Sequence, residues 1–309
     1  DFLTALHKPK KTTHATLELL DLPGFSPNDA HGRDALTKAL PSMRQCDVLI
    51  AVVRDFESDA VPAYRDRVDA QADLAELAEE LVYADLLTTT NRLERLAASM
   101  KKPTGSHDQE KRELALLESC KALLEESKPL SDLAQADEVA ERLSSFGFLT
   151  LKPLVVVYNV DESRGSEKPP ESPTQAHEAV CLCAETEAEI AELDPTDRPE
   201  FLADLGVTEA ASARLIHTCY RSAETISFFT VGPDEVRAWP VHNGATAQEA
   251  AGKIHSDLAR GFIRAETVAY DVIHELGDMK EAKAAGKVRQ EGKTYIVQDG
   301  DILLIKFNV

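Results

Sequence analysis

The chain has 309 residues, 43% of them hydrophobic, and a net charge of −20. That is enough apolar material for two or three domains with their own cores, and no apolar run approaches the ~20 residues of a membrane-spanning helix. An acidic excess of this size excludes a protein that coats nucleic acid non-specifically, because neutralising phosphates takes clustered Lys and Arg. Neither a membrane nor a specific DNA site is expected as a partner. The charge is uneven. From residue 226 to the end, ten Lys/Arg face twelve Asp/Glu, so the rest of the chain carries −18. Any part that meets RNA is therefore the C-terminal part. Five cysteines, at 46, 120, 181, 183 and 219, are an odd number without the spacing of a disulfide scaffold, which fits a reduced, cytoplasmic setting. The first residue is Asp1 rather than Met, so the expectation is a fragment, a processed form or the ordered part of something longer.

In chain order, Asp1 to Lys11 reads as the tail of a helix or loop stopped by Pro9. A short strand, Leu17 to Leu20, is expected to run into Asp21-Leu-Pro-Gly24. An acidic residue followed by a tight Gly turn can hold a magnesium-bound water and let a backbone N–H reach a γ-phosphate. Asp34 to Arg44 predicts a helix with Leu36 and Leu40 on its inner face, and Val48 to Val53 the next strand. From Val68 the apolar period becomes helical, with Leu74, Leu77, Ala78 and Leu81, then Leu93, Leu96 and Ala97. Pro103-Thr-Gly105 breaks it, and a second long helix carries Leu114, Leu117, Cys120 and Leu124. Pro129 and a short helix follow. This is an antiparallel helical hairpin with arms of roughly 40 Å, whose dense charge reads either as a solvated face or as a docking arm.

The stretch Leu154 to Glu162, LVVVYNVDE, runs four apolar residues into a polar end. That is the pattern of a buried parallel strand whose carboxyl end opens onto a ligand crevice. Asn159 and Glu162, three apart on the following turn, can read a purine edge with one amide and one carboxylate. Ser163 to Pro173 is a polar, Pro-rich loop, and Ala179 to Cys183 is the next strand. Cys181-Leu-Cys183 invites a metal reading, but buried cysteines on a strand behave as small hydrophobes. Helices follow over Glu185 to Glu192 and over Gly206 to Tyr220, the second turning Leu215, Ile216 and Cys219 inward. Residues 226–309 form a separate small domain. A strand pair around Phe228 to Val231 and Val236 to Val241 precedes a helix from the capping-box spacing Thr246-Ala-Gln-Glu249 to Leu258. Tyr295 to Val297 and Ile302 to Phe307 flank the turn Gln298-Asp-Gly-Asp301. Core packing is the first reading of Trp239 and Tyr295.

Asp21-Leu-Pro-Gly24 resembles the third motif of P-loop GTPases, and Asn159-Val-Asp-Glu162 resembles their base-reading NKxD motif with Glu in the last place. That replacement is typical of the YchF/Obg-like ATPase family. The resemblance runs on through Arg54-Asp-Phe-Glu57, Tyr83-Ala-Asp-Leu86 to Leu96, Cys183-Ala-Glu185, Phe228-Phe-Thr-Val-Gly232, Gly292-Lys-Thr-Tyr-Ile-Val-Gln-Asp-Gly-Asp301 and Phe307-Asn-Val309, covering essentially the whole chain. It implies an α/β fold: an incomplete P-loop NTPase sheet over residues 1–67 and 147–225, with an inserted helical coiled coil over 68–146. A C-terminal α+β β-grasp domain of TGS type follows over 226–309.

The resemblance also implies function. ATP or GTP with Mg²⁺ is the expected ligand, and a ribosome or other RNA–protein complex the expected partner. Asp21 would support Mg²⁺ through water, Gly24 would approach the γ-phosphate, Asn159, Val160 and Glu162 would line the purine pocket, and Cys183, Ala184 and Glu185 would support the base. Ordinary GTPases place a water-orienting Gln after the third motif. Phe25 stands there instead, so His31 is the candidate to position water, against the plainer reading of a loop histidine. In NKxD the Asp accepts from guanine N1–H and its 2-amino group. Adenine lacks both donors and a longer Glu fits guanine poorly, so adenine is the expected base. No GxxxxGK[ST] phosphate loop occurs in these residues, so the chain as given is expected to hold a triphosphate weakly and to be inactive alone. The alternative is a non-hydrolysing or degenerate NTPase serving as an interaction module.

Overall fold

The computed structural model describes residues 2–24, 30–61, 63, 66–100, 107–165, 167–170, 178–207 and 209–308. They fall into two compact units, 20–222 and 1–19 with 223–309. Helix α1 (Phe2–His7) ends ahead of Pro9, and β1 (Lys11–Thr13) pairs in parallel with residues 235–237. Phe2, Leu3 and Leu6 pack with Val236, Val268 and Ile302. The chain start therefore belongs with the C-terminal unit. The strand expected at Leu17–Leu20 does not form: this segment has no regular structure, and Leu19 and Leu20 are 61% and 53% exposed. A strand exists only through its neighbours, and none runs beside these residues among those described.

The unit of residues 20–222 is built on a parallel sheet. Its strands are β2 (Leu49–Asp55), β3 (Leu154–Val160) and β4 (Glu178–Leu182), in the order β2-β3-β4. Val155, Val156 and Tyr158 are fully buried, so both faces of β3 are covered. Helix α2 (Ala30–Met43) packs Leu36, Leu40 and Met43 against this sheet. The apolar stripe from Val68 becomes one uninterrupted helix, α3 (Ala70–Ser99), started by the Asp69 carboxylate accepting from the Ala72 N–H. At 1.5 Å per residue it is about 45 Å long. Helix α4 (His107–Glu125) runs back along it: Ser99 meets Glu110 and Arg92 pairs with Glu113, so partner numbers rise on α4 as they fall on α3. Leu96, Leu117, Cys120 and Leu124 fill the seam, and the short α5 (Ala136–Arg142) closes its base with Val139. The expected break at Pro103–Gly105 lies outside the described residues, as do Phe25 and Pro27.

One buried polar network ties this insertion to the sheet. The Asp85 carboxylate, fully buried on α3, accepts from Arg44 Nη1 (2.9 Å), from the N–H groups of Leu149 (3.1 Å) and Thr150 (2.8 Å), and from Thr150 Oγ1 (2.9 Å). Arg44, just past α2, spreads its other donors over the carbonyls of Gly147 and Ala84 and over Thr88 Oγ1. Gly147, at φ +53°, leaves no room for a side chain, because a Cβ there would meet the Arg44 carbonyl oxygen at 2.6 Å. Beyond β4 come α6 (Ala184–Glu192), α7 (Arg198–Asp204) and α8 (Ala211–Ser222). The expected helix from Gly206 starts later, at Ala211. Cys219 is buried as expected, but Ile216 is 43% exposed, so the inward stripe is narrower than the apolar residues suggest.

In the other unit a mixed sheet has the order β1-β6-β5-β9-β7-β8. Strands β5 (Thr225–Val231) and β6 (Glu235–His242) form the expected hairpin. Thr246 and Glu249 make the full capping box of α9 (Ala247–Ile254), which stops short of Leu258; α10 (Ser256–Arg260) is separate. Then follow β7 (Phe262–Ala269), α11 (Tyr270–Leu276), α12 (Met279–Ala284), β8 (Arg289–Glu291) and β9 (Asp301–Phe307). Tyr295 to Val297 is not the hairpin partner of β9; its backbone bonds Ala245 and Ala247 instead. The buried Asp301 carboxylate holds that turn, accepting from the Tyr295 hydroxyl (2.7 Å) and the Gln298 N–H (3.0 Å). Burial, with the neighbouring Asp301, pushes the Tyr295 phenol up to about 12. Trp239 is half-buried against the core, with the Arg237 guanidinium 3.8 Å from its ring centroid.

Removing the Asp85 carboxylate strands Arg44 and two buried N–H groups. Asp85→Ala should lower the stability of the helical unit by about 3–5 kcal/mol, read from urea unfolding followed by far-UV circular dichroism. A loss below about 1 kcal/mol would show that the network is dispensable.

Candidate nucleotide site

The register of the parallel sheet brings three chain turns together. Asp55, the last residue of β2, is opposite Val160, and Asn159 is opposite Leu182 on β4. The carboxyl ends of all three strands therefore finish at one level, where ligands bind in open α/β sheets. From β3 the chain enters a 3-10 turn, Glu162–Arg164, and from β4 it enters α6 with Cys183 as N-cap.

Asn159 spans the two turns. Its Oδ1 accepts from the Ala184 N–H at 3.0 Å, at the start of α6, where the backbone N–H groups lack helical partners. With one Oδ1 lone pair engaged, this amide keeps both Nδ2–H donors and a second acceptor site. Glu162 is exposed, and among the described residues no hydrogen bond or ion pair engages its carboxylate. The Ser163 hydroxyl donates to Asp161 and holds that carboxyl below its usual value. The turn itself is packed against the start of α6: a Cβ on Gly165 would come within 3.5 Å of the Cys183 nitrogen. Arg164 bonds Asp55, and Arg214 of α8 donates to the Gly165 and Cys181 carbonyls. Glu187 in turn caps α8, accepting from the Ala211 and Ser212 N–H groups at 2.7 and 3.0 Å.

Of the residues singled out from the sequence, Asn159, Glu162, Cys183, Ala184 and Glu185 share this rim. Val160 departs from expectation: its side chain is 2% exposed and belongs to the core, since the next position along a strand must face the opposite way, leaving only its main chain to contribute. Cys183 is likewise buried, at 9%, while Ala184 and Glu185 are exposed. Cys181 is a buried free thiol whose pKa burial raises, the behaviour of a small hydrophobe. Asp21 and Gly24 flank Leu22, which packs on the core shared by β2 and β3. Among the described residues no hydrogen bond joins either of them to the rim. His31 falls within α2, but its side chain lies outside the described residues, as does the preceding loop 25–29. The bonds from Asn159 to Ala184 and from Arg164 to Asp55 were not foreseen; the only sequence signal for them is an Asn and an Arg bracketing the polar end of a buried strand.

Asn159→Ala removes the acceptor for the Ala184 N–H. That amide should then exchange with solvent about tenfold faster, measured by hydrogen exchange, while the amides within β3 keep their protection. Unchanged exchange at Ala184 would show that the strut does not hold the two turns together.

Three comparisons bear on identity. A family model described as YchF-GTPase_C, protein of unknown function (DUF933), matches residues 225–308. The chain is 37% identical over 316 residues to the ribosome-binding ATPase YchF of Escherichia coli O157:H7, all of this chain aligning to 86% of that protein. It is 38% identical over 322 residues to Obg-like ATPase 1 of Oryza sativa subsp. japonica, all of it aligning to 80% of the relative. Its fold is similar to the structure of the Schizosaccharomyces pombe YchF GTPase, with TM-score 0.84 and 26% identity over 99% of this chain and 84% of that one. With relatives this similar across its full length, the chain belongs to the YchF/Obg-like ATPase family.

Proposed function

We propose that this chain binds ATP in preference to GTP at the rim formed by Asn159, Glu162 and the start of α6, as the nucleotide end of a ribosome-associated ATPase. The observation that carries the reading is the Asn159 strut. Its Oδ1 accepts from the Ala184 N–H, which leaves both Nδ2–H donors for a base. Purine N7 is an acceptor in both adenine and guanine, so Asn159 recognises a purine without choosing between them. The choice falls to Glu162, whose unengaged carboxylate can accept from the adenine 6-amino group. A two-pronged grip on guanine N1–H and the 2-amino group needs the shorter Asp.

Asp21 fits the role of holding Mg²⁺ through water, because it is exposed and no hydrogen bond or ion pair engages it among the described residues. A Cβ at Gly24 would meet nothing within 4 Å among the described residues beyond its chain neighbours. Packing does not call for glycine there, whereas close approach of a phosphate does. Mg²⁺ would neutralise charge on the phosphates. For His31 the support is its place near the start of α2, the first helix after Gly24.

The relatives named ribosome-binding support a ribosomal partner. The arm of α3 and α4 supports the same reading, since α3 carries Tyr83 and Leu87 exposed one turn apart, at 56% and 47%. Titration of the chain with ATP and with GTP, each with Mg²⁺, tests the base preference. ATP should bind about tenfold tighter or better, and Glu162→Asp should narrow the gap. Equal binding of both, or binding of neither, overturns the preference.

A further inference from the structure

We propose that Arg164 is a positioning residue for base selection: its guanidinium clamps the turn bearing Glu162 onto the end of β2 and so fixes where that carboxylate meets the base. The inference rests on the purine reading above and names the part that sets its selectivity. Arg164 Nη2 donates to Asp55 Oδ2 at 2.7 Å and Nη1 donates to the Asp55 carbonyl at 3.1 Å. The same fork reaches Glu167 Oε2 through Nε at 3.2 Å. Asp55 closes β2, and its strand is in register with β3 up to Val160, two residues before Glu162. On the other side Arg214 Nη2 holds the next residue, donating to the Gly165 carbonyl at 3.1 Å and to the Cys181 carbonyl at 3.3 Å. The turn is thus pinned between the end of β2 and α8.

The Glu162 carboxylate has no hydrogen bond or ion pair among the described residues, so the backbone sets its reach. A three-residue 3-10 turn has few internal hydrogen bonds to hold that backbone. The clamp therefore supplies what the turn lacks. Arginine suits it because a planar fork satisfies a carboxylate and a carbonyl of one residue together, which a lysine ammonium cannot do with the same directionality. The pair is part-exposed, at 36% and 27%, and such pairs contribute little to global stability. Its loss should appear in selectivity rather than in unfolding.

The test is titration of the whole chain with Mg·ATP and Mg·GTP for the wild type, Arg164→Ala, Arg164→Lys, Asp55→Ala, the Asp55→Ala/Arg164→Ala double variant and Glu162→Ala, with thermal unfolding in parallel. The ATP-to-GTP affinity ratio should fall about fivefold in Arg164→Ala and in Asp55→Ala, and no further in the double variant. Arg164→Lys should not restore it, and unfolding midpoints should stay at the wild-type value. A wild-type ratio in Arg164→Ala beside a collapsed ratio in Glu162→Ala overturns the clamp and leaves the purine reading standing. Equal weakening of both nucleotides in Arg164→Ala also overturns it, since that marks a general structural role. No preference in the wild type, or an unchanged ratio in Glu162→Ala, overturns the purine reading and the clamp with it.

Discussion

Strand β3 is the constraint on which the structure of residues 20–222 depends. It is buried on both faces and hydrogen-bonded in parallel on both edges, so its register is set from four sides. A slip of one residue would turn Val155, Val157 and Asn159 to the opposite face and put Tyr158 and Val160 in their place, exchanging a polar amide for apolar side chains at the strand end. Because the register cannot slip, the polar residues that follow arrive at a fixed height beside the end of β2 and the start of α6. The proposed site follows from that alignment, and side-chain bonds hold its turns in place: Asn159 toward α6, Arg164 toward β2, Arg214 from α8.

The long insertion between β2 and β3 is joined to the sheet by polar chemistry at its base. Apolar seams hold α3 to α4, but at the root a fully buried carboxylate, Asp85, collects donors from the end of α2 and from the segment that re-enters the sheet at β3. A buried charge is tolerable only when every lone pair is used, and here four donors meet it. The geometry this demands is more directional than apolar contact would be. It ties the end of α2, the arm, and the entry to β3 at one point.

What could be read from the sequence follows from where local pattern and tertiary structure agree. The buried strand at Val155–Tyr158, the helical period of the arm and the Thr246 capping box all announce themselves within a few residues, because each is stabilised by contacts that repeat at short spacing. Leu17–Leu20 carries a strand-like pattern yet forms none, since pairing depends on a neighbour and not on the segment. Residues 11–13 join the C-terminal sheet through partners at 235–237, a separation no local pattern reveals. Tyr295–Val297 misleads for a related reason: the turn beside it is shaped by the Asp301 side chain rather than by strand pairing. That Asn159 and Glu162 follow the buried run at the end of β3 could be read from the sequence, and their orientation could not. That one oxygen of Asn159 is spent on Ala184 follows only from the strand alignment.

In the proposed function the turns after β3 and β4 act as one surface for a purine. Amide-resolved NMR of the isotope-labelled chain during titration with Mg·ATP tests it most directly, through the backbone N–H of Ala184 and the side-chain NH₂ of Asn159. The account requires both signals to shift together and to saturate at the same nucleotide concentration. Both signals unmoved at saturating nucleotide, with shifts confined to other parts of the chain, would contradict it.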